Sequence, residues 1–225
     1  METTRKSTTK KAATSARKKI VRAYKEVLLK TGKPPASVYS FCLDLGIEEE
    51  EFYSEFGSFA GIEREVWKEI MNTTIRRLSA DKAFQGFAAR EKMLALCYTL
   101  LEELTRERSF ILLQLERGSK LELVPPFLRD FREAYLNFTD KILQEGQEKG
   151  EIARRPYLER GYSRLFWLHL VSLIMFWKTD DSPAFARTDA YVEKSVHLAF
   201  DLIGKGVVDS AVDLARFMFQ SRKHV

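Results

Sequence analysis

The sequence predicts an all-α fold, and three kinds of observation support this prediction. Apolar residues recur at spacings of three and four, which place side chains on one face of a helix. Glycine and proline interrupt these patterns where helices would end or begin, as at Gly32 with Pro34 and at Pro125 with Pro126. No long segment alternates apolar and polar residues as a β-strand does. The 225 residues, 45% of them hydrophobic, suffice for one large helical domain or two smaller ones.

The N-terminal segment is strongly basic. Residues 1–33 carry eleven Lys or Arg against two Glu. Residues 1–14 lack periodic apolar positions and carry several like charges, so they are predicted to form a flexible basic tail. Order is expected to begin near Ser15, with a first helix that places Ile20 and Leu28 on one face and ends at Gly32.

Two short helices and a longer one are predicted next. Ser37 suits the N-cap of the first short helix, and Gly46 ends it. Phe52 belongs to the second short helix, and Gly57 with Ser58 precedes the longer one. Two short helices joined by a glycine turn are the layout of a helix-turn-helix.

Further helices are predicted along the rest of the chain, around Leu96, Leu113, Phe131, Leu170 and Val196, with a last one over about 209–221. The longest apolar run, Leu165 to Trp177, is too short to span a bilayer, so it predicts a buried helix and no membrane insertion. The N-terminus lacks the apolar centre of a secretory signal. Cys42 and Cys97 lack the spacing of a disulfide framework or metal site, which fits reduced thiols in the cytoplasm.

The sequence gives no sign of catalysis. His169, His197 and His224 lie on separate elements without the spacing of metal ligands. Neither a glycine-rich phosphate loop nor a Gly-x-Ser-x-Gly nucleophile motif is present. We therefore predict a protein that is not an enzyme, with no catalytic residue, no metal and no cofactor.

The helix-turn-helix pattern resembles the N-terminal domain of the tetracycline-repressor (TetR) family. The resemblance covers about 20–67 and is carried by Ser37-Val38, Phe41-Cys42, Leu45-Gly46-Ile47, Phe52-Tyr53, Phe56 and Gly57-Ser58. It implies a three-helix DNA-binding domain, a long linking helix and a C-terminal helical domain that binds a ligand and dimerises. The predicted segments are accordingly 1–14, 15–57 and 58–225. The segment from Asp181 to Tyr191 is similar to the C-terminal domains of Bacteroidetes members.

The resemblance also implies binding of double-stranded operator DNA. The residues predicted to contact DNA are Lys18, Lys19, Arg22, Ser37, Tyr39 and Tyr53. The basic tail and the three cations would meet phosphates, since flexible basic arms beside a helix-turn-helix commonly follow the DNA backbone. Packing within the fold is the alternative role for the two tyrosines, and simple solubilisation is the alternative role for the tail.

The predicted reading helix departs from the family pattern because it is acidic. Small, hydroxyl or basic residues are usual after the glycine turn, whereas this chain has Glu48, Glu49, Glu50, Glu51 and Glu55. DNA carries about one negative charge per 1.7 Å of its axis, so five carboxylates facing it would repel it. The alternative is ordinary helix chemistry, since acidic side chains stabilise a helix N-terminus by roughly 0.3–1 kcal/mol each.

The C-terminal part is predicted to hold a dimer interface and a ligand site. The run from Arg164 to Trp177 is apolar around nearly its whole circumference, so a second subunit would cover one face. Resemblance implies a four-helix bundle formed by about 156–178 and 188–206 of two subunits. The residues predicted to line a site for a small hydrophobic ligand are Phe110, Tyr135, Phe138, Phe166, Trp167 and His169. Ordinary core packing is the alternative for each.

Two functions remain open at this stage. One is a homodimeric one-component transcriptional regulator that binds an operator and senses a small hydrophobic molecule. The other is a protein of the same fold that binds a lipid, another small molecule or a protein and has lost DNA binding. The acidic run Glu48 to Glu51 favours the second function, whereas the basic arm and the retained turn residues favour the first.

Overall fold

The computed structural model describes the backbone of residues 2–117, 125–154 and 159–204, and the side chains in these ranges except those of 2–15, 159 and 160. Its regular elements in this part of the chain are helices, which confirms the all-α prediction. The α-helices are α1 (Glu2–Thr31), α2 (Val38–Leu45), α3 (Glu49–Glu55), α4 (Phe59–Ala80), α5 (Lys82–Gly86), α6 (Ala89–Arg106), α7 (Arg108–Arg117), α8 (Arg129–Glu148), α9 (Glu159–Thr179) and α10 (Ala186–Ile203). Short 3-10 helices, Pro126–Leu128 and Pro183–Phe185, precede α8 and α10. The predicted last helix over 209–221 lies outside the described residues.

The chain divides into two compact units. The first comprises residues 1–70 and 104–131, and the second comprises 71–103 and 132–225. Helix α7 and the turn before it belong to the first unit, and their side chains bond to α4 and α1. Trp67 Nε1 donates to Gln114 Oε1 at 2.6 Å, and the Lys25 ammonium pairs with Glu107 on the turn before α7. The predicted boundary between a DNA-binding segment, 15–57, and a ligand-binding and dimerising segment, 58–225, stays a prediction.

Helix α1 begins earlier than the sequence indicated. Its backbone is helical from Glu2, whereas residues 1–14 were predicted to form a flexible tail. The flexibility of this segment stays a prediction, which amide hydrogen exchange would measure. The helix ends as predicted at Thr31, followed by Gly32 in the left-handed conformation at φ 70°.

An aromatic cluster holds the first unit together. Phe52 of α3 packs against Phe41 of α2 and Phe59 of α4, with ring centroids 6.0 and 5.7 Å apart. Tyr24 of α1 stacks on Phe59 at 5.3 Å. Because one ring from each of four helices meets here, the cluster joins α2 and α3 to α1 and α4.

The second unit is built around α6, α8, α9 and α10. Its buried side chains include Met93, Leu96, Tyr135, Phe166, Leu170, Trp177, Val192 and Phe200. Helix α8 approaches its neighbours closely at Gly146, where an added Cβ would lie 2.7 Å from Ala89 Cβ and from Ile152 Cδ1. Cys97 is fully buried in this core, and burial raises the pKa of its thiol to about 12, so this cysteine has no reactive thiolate.

The turn between α9 and α10 depends on one buried carboxylate. Asp180 Oδ1 accepts hydrogen bonds from Ser182 N and Oγ at 2.9 and 2.7 Å, and Oδ2 accepts from Thr188 N and Oγ1 at 2.9 and 2.6 Å. These bonds hold a turn in which Ala184 and Phe185 have φ angles of 52° and 58°. Non-glycine residues adopt that conformation only where the surroundings impose it.

Hydrogen bonds to Thr188 and Ser182, which outweigh the opposing effect of burial, hold the pKa of Asp180 well below its usual range. The stabilisation that the Asp180 carboxylate gives the folded chain is therefore fully present above about pH 4 and is lost progressively as the pH falls below that value.

We expect Asp180→Asn to lower the melting temperature by several degrees at pH 7, and the difference from the unsubstituted protein to shrink towards pH 3. Thermal unfolding measured from pH 3 to pH 7 checks this. Asp181→Asn is the matched control, because Asp181 is exposed and, among the described side chains, forms an ion pair with Arg187 alone. An equal effect of both substitutions would contradict the role of Asp180.

Candidate functional site

The turn between α2 and α3 has the geometry of a helix-turn-helix. Ser37 adopts an extended N-cap conformation, and its Oγ accepts a hydrogen bond from Ser40 N at 3.1 Å. Helix α2 ends at Gly46, whose φ of 66° and ψ of 45° are left-handed and favour glycine. Ile47 N then donates to Cys42 O at 3.1 Å, which closes the turn before α3. The predicted roles of Ser37 as N-cap and Gly46 as helix stop are confirmed.

The outward surface of α2 and α3 is acidic and partly apolar. Glu48, Glu49, Glu50 and Glu51 are all exposed, and none has an ion-pair partner among the side chains that the structure describes. The pKa of the Cys42 thiol is raised first by burial and then by the negative charges of Glu49, Glu48 and Glu51. The electrostatic effect of these carboxylates therefore extends to a buried residue of α2. Three large side chains are exposed beside them: Tyr39 at 65%, Leu43 at 69% and Tyr53 at 53%.

Glu55 does not share this surface, which corrects the expectation of five carboxylates facing DNA. Its side chain is only 15% exposed and pairs with Arg17 of α1 at 3.4 Å. Arg17 also pairs with Glu65 of α4 at 3.0 Å and lies over the ring of Phe56 at 4.2 Å. Burial lowers the pKa of Arg17, but bonds and charges from Glu65 and Glu55 outweigh it and raise that pKa. Four carboxylates, Glu48 to Glu51, therefore remain on the outward surface.

The three predicted phosphate contacts lie on α1 but do not form one cluster. Lys18 and Arg22 line a groove of about 460 Å³ between α1 and α4, which also contains Glu65 and Glu69. Lys19 turns to the other side, where its ammonium donates to Leu45 O at 3.3 Å. Arg22 has an exposed ion pair with Glu26 at 3.8 Å, a kind of pair that contributes little to stability. Lys18 and Arg22 thus remain available to a polyanion, and Lys19 is partly engaged.

The remaining predicted DNA contacts have different surroundings. The Ser37 hydroxyl is used within α2, since it also donates to Ser40 Oγ at 3.1 Å. Tyr39 and Tyr53 are exposed, and the Tyr53 ring contacts that of Phe52 with centroids 5.4 Å apart, so their contact with DNA stays a prediction. Sequence reasoning missed Leu43 and Arg17. Leu43 lies one turn after Tyr39, a spacing of four that the sequence showed, whereas the partners of Arg17 are distant in sequence.

The predicted ligand residues are divided between the two units. Phe110 is buried in the first unit, with the Lys25 ammonium 5.9 Å from its ring. In the second unit, Tyr135 and Trp167 lie together with ring centroids 6.1 Å apart, and Tyr135 donates to the Phe166 carbonyl at 3.1 Å. Phe138 stacks instead on Phe84 of α5 at 6.1 Å. The structure therefore groups Tyr135, Phe166 and Trp167, whereas Phe110 and Phe138 pack elsewhere.

His169 lies beside this group and faces α10. Its Nε2 is 2.8 Å from Ser195 Oγ, and its Nδ1 is buried without a hydrogen-bond partner among the described residues. Burial lowers the pKa of this imidazole. On the same face of α8 as Tyr135, the Arg132 guanidinium carbon lies 5.5 Å from the Trp167 ring, and Arg132 Nε has no partner in the described part of the chain.

Helices α9 and α10 share an apolar face that no described residue covers. Its large exposed side chains are Leu165 (39%), Leu168 (58%), Met175 (51%), Leu198 (61%) and Leu202 (42%). On each helix they follow helical spacing, and the two helices pack against each other through Phe176 and Tyr191, which stack at 4.6 Å. The exposed residues therefore lie on one side of each of two adjacent helices.

A family profile described as "Tetracyclin repressor-like, C-terminal domain" matches residues 92–218, more than half of the chain. The chain belongs to the TetR family. Members of this family are transcriptional regulators, so this protein is a transcriptional regulator of the TetR type and not an enzyme.

Solved structures of TetR proteins show the same fold. A TetR transcriptional regulator from Nitrosomonas europaea is 16% identical, with a TM-score of 0.58, and the alignment covers 81% of this chain and 96% of that one. NalD from Pseudomonas aeruginosa, the secondary repressor of the MexAB-OprM multidrug efflux pump, is 16% identical with a TM-score of 0.57 over 86% of this chain and 99% of its own. No curated protein sequence matches the chain.

No group of three or more His, Cys, Asp or Glu side chains is placed to hold a metal ion in the described ranges. Among the helices that the structure describes, none combines the length and apolar character needed to cross a bilayer.

Proposed function

We propose that this TetR regulator works as a cytoplasmic homodimer that binds operator DNA through α2 and α3 and responds to a small hydrophobic ligand held in the second unit. The observation that carries the proposal is the helix-turn-helix of α2, Gly46 and α3 in a chain whose C-terminal part matches the family. TetR regulators bind DNA as dimers, with two reading helices that enter successive major grooves about 34 Å apart.

The apolar patch of α9 and α10 supports homodimerisation. Five large aliphatic side chains exposed to water on adjacent helices would favour association with an apolar surface. A second copy of the chain offers an identical surface, and a two-fold axis would bring the two patches together. Four helices, two from each subunit, would then form the interface.

The group formed by Tyr135, Phe166 and Trp167 supports the ligand site. Its aromatic rings offer an apolar environment, and Arg132 Nε and His169 Nδ1 nearby lack partners in the described part of the chain. Sites for small molecules commonly combine apolar walls with a few polar atoms that orient the ligand. Ligand binding would act by favouring a spacing of the two reading helices that no longer fits successive grooves.

A second function is favoured by one specific observation, the exposed carboxylates from Glu48 to Glu51, which have no ion-pair partner among the described side chains. On this alternative the surface of α2 and α3 binds a basic protein surface and not DNA, with Tyr39, Leu43 and Tyr53 supplying apolar contacts. Aromatic side chains at such a position suit the packing of arginine over their rings. The two functions differ in the charge of the partner.

Selection of genomic DNA fragments by the purified full chain tests the proposal. Binding is carried out at about 50 mM and about 200 mM salt, because phosphate contacts alone weaken steeply over this range. Enrichment of a palindromic site that persists at the higher salt supports the regulator that reads DNA directly. Adhesion only at low salt, or no enrichment, supports the alternative.

The cations of α1 give a quantitative prediction. We expect Lys18→Ala with Arg22→Ala to weaken duplex binding and to reduce the slope of log K against log salt by about 2, one for each lost phosphate contact. Binding isotherms at four salt concentrations measure this slope. Lys30→Ala with Lys33→Ala removes the same charge from exposed positions in the last turn of α1 and just after it, and serves as the matched control. An unchanged slope for Lys18→Ala with Arg22→Ala would exclude these two side chains as phosphate contacts.

A further inference from the structure

Helix α3 is short, and its apolar attachment to the rest of the unit is narrow. It has seven residues, of which Phe52 alone is buried. Its N-cap residue, Glu48, makes no side-chain hydrogen bond to the helix. A two-turn helix held by one apolar side chain can still rotate about that attachment. A second point of attachment is needed to fix its direction.

Arg17 supplies that second attachment at the other end of α3. Its Nη1 donates to the backbone carbonyl of Glu55, the last residue of α3, at 2.7 Å, and is 3.4 Å from the Glu55 carboxylate. Its Nη2 pairs with Glu65 of α4 at 3.0 Å. The guanidinium carbon lies over the ring of Phe56, the C-cap residue of α3, 4.2 Å from the ring centroid. One side chain of α1 thus contacts α3, its C-cap and α4.

The chemistry of this contact suits positioning. The last carbonyls of a helix have no partner within the helix and form the negative end of its dipole, so a cation that donates to them is stabilising. A guanidinium has five donors in a rigid plane, so it can bond two carboxylates and a carbonyl while it stacks on a ring. A lysine ammonium at the same place would keep the charge but could not donate in the same fixed plane to several acceptors at once.

Lys19 makes a smaller contact of the same kind. Its ammonium donates at 3.3 Å to the carbonyl of Leu45, which is the last residue of α2. Two residues that lie two positions apart on α1 therefore bind the C-terminal carbonyls of the two helices of the helix-turn-helix. The contact of Lys19 is exposed, whereas that of Arg17 is partly buried, so Arg17 dominates.

We propose that Arg17 is the positioning residue that fixes the direction of α3, with Lys19 in a lesser equivalent role at α2. The consequence for DNA rests on the proposed function, since it requires that α3 enter the major groove. A helix whose C-terminal attachment is lost still presents its side chains, but in a range of directions. Discrimination between operator and other DNA then falls, while binding to phosphates by other residues persists.

Hydrogen exchange on the full chain tests the positioning without DNA. In Arg17→Gln, we expect amide exchange in α3 to become about tenfold faster, as the loss of hydrogen bonds to a charged group implies. Exchange in α8 and α9 is expected to stay unchanged. Arg17→Lys is expected to restore part of the protection, and Lys30→Gln, which removes the same charge at an exposed site on α1, to have no effect. Exchange in α3 that stays within twofold of the unsubstituted protein overturns the proposal, and so does equal acceleration in all helices.

A second variant covers the case in which Arg17→Gln does not fold. Glu65→Gln weakens the hold of Arg17 on α4 but leaves the bond to the Glu55 carbonyl, so a smaller acceleration confined to α3 is expected. No local change in this variant overturns the proposal.

Binding of a selected operator and of a shuffled duplex separates this proposal from the proposed function. Arg17→Gln is expected to lower the ratio of the two affinities by about tenfold, with little change for the shuffled duplex. An unchanged ratio together with faster exchange in α3 would overturn the link to DNA reading, and the positioning of α3 would stand. Absence of operator binding in the unsubstituted protein would overturn the proposed function alone, because the exchange result does not depend on DNA.

Discussion

Leu168→Glu combined with Leu198→Glu is expected to convert the proposed homodimer into monomers. The two side chains are 58% and 61% exposed within one chain, so the substitutions remove little packing from the folded subunit. In a two-fold dimer each of these leucines occurs once in each subunit, so the interface buries four leucine side chains. Full burial of a leucine contributes about 1.5–3 kcal/mol, and a dimer buries the remaining three-fifths or so of each side chain, so the four leucines contribute about 4–7 kcal/mol. This corresponds to a factor of about 10³ to 10⁵ in the dimer dissociation constant.

Light scattering coupled to size-exclusion chromatography at micromolar concentration measures this change. Far-UV circular dichroism of the double variant checks that its helices remain. Leu29→Glu is the control, because Leu29 is also a large exposed apolar residue, at 43%, but lies on α1 in the first unit. A dimeric double variant would place the interface elsewhere, and a monomeric unsubstituted protein would reject homodimerisation itself.

Neutralising the acidic end of α3 is expected to strengthen binding to duplex DNA. A carboxylate within a few ångströms of a phosphate is repelled by about 0.5–1 kcal/mol in water. Removing four, with Gln in place of Glu48, Glu49, Glu50 and Glu51, gives about 2–4 kcal/mol and therefore an affinity at least about thirtyfold higher at low salt. The same change lowers the free energy of unfolding, since each carboxylate stabilises the helix N-terminus by about 0.3–1 kcal/mol.

Fluorescence anisotropy with a labelled duplex at several salt concentrations measures the affinity, and thermal unfolding measures the loss of stability. The matched control exchanges four other exposed glutamates for glutamine, Glu116, Glu133, Glu148 and Glu193. Both variants have the same net charge, so a general electrostatic effect would raise their affinities equally. A larger gain for the α3 variant shows that this surface faces DNA. Equal affinities would mean that the N-terminal end of α3 does not approach the duplex, which supports a protein partner for this surface.

Much of the fold could be predicted because its signals are local. Ser37 as N-cap, Gly46 as helix stop and Pro126 at the start of the segment leading into α8 act through bonds to residues a few positions away. Such local interactions can be predicted from a segment of about ten residues. The family profile, which matches residues 92–218, agrees with the resemblance found in the helix-turn-helix.

The candidate site was predicted less completely because its electrostatics depend on distant residues. Glu55 was grouped with four other glutamates by its position in the sequence, but its partner, Arg17, lies 38 positions earlier. The aromatic residues proposed for a ligand were grouped by composition, and the structure assigns Phe110 to the first unit and Tyr135 with Trp167 to the second. Sequence periodicity indicates neither that Glu55 differs from the other glutamates nor that Phe110 lies in a different unit from Tyr135 and Trp167.

The sequence by itself therefore determined the helical elements, most of their ends and the acidic character of the predicted reading helix, since spacing and capping depend on neighbouring residues. Tertiary structure decided which charges remain exposed and which faces remain uncovered. Arg17 neutralises Glu55 but leaves Glu48 to Glu51 exposed, and the packing of α9 on α10 leaves Leu168 and Leu198 in water. Whether a charged or an apolar side chain is exposed to solvent depends on groups that come close only when the chain folds. The side chains that remain exposed define the surfaces available to DNA, a second subunit or another partner.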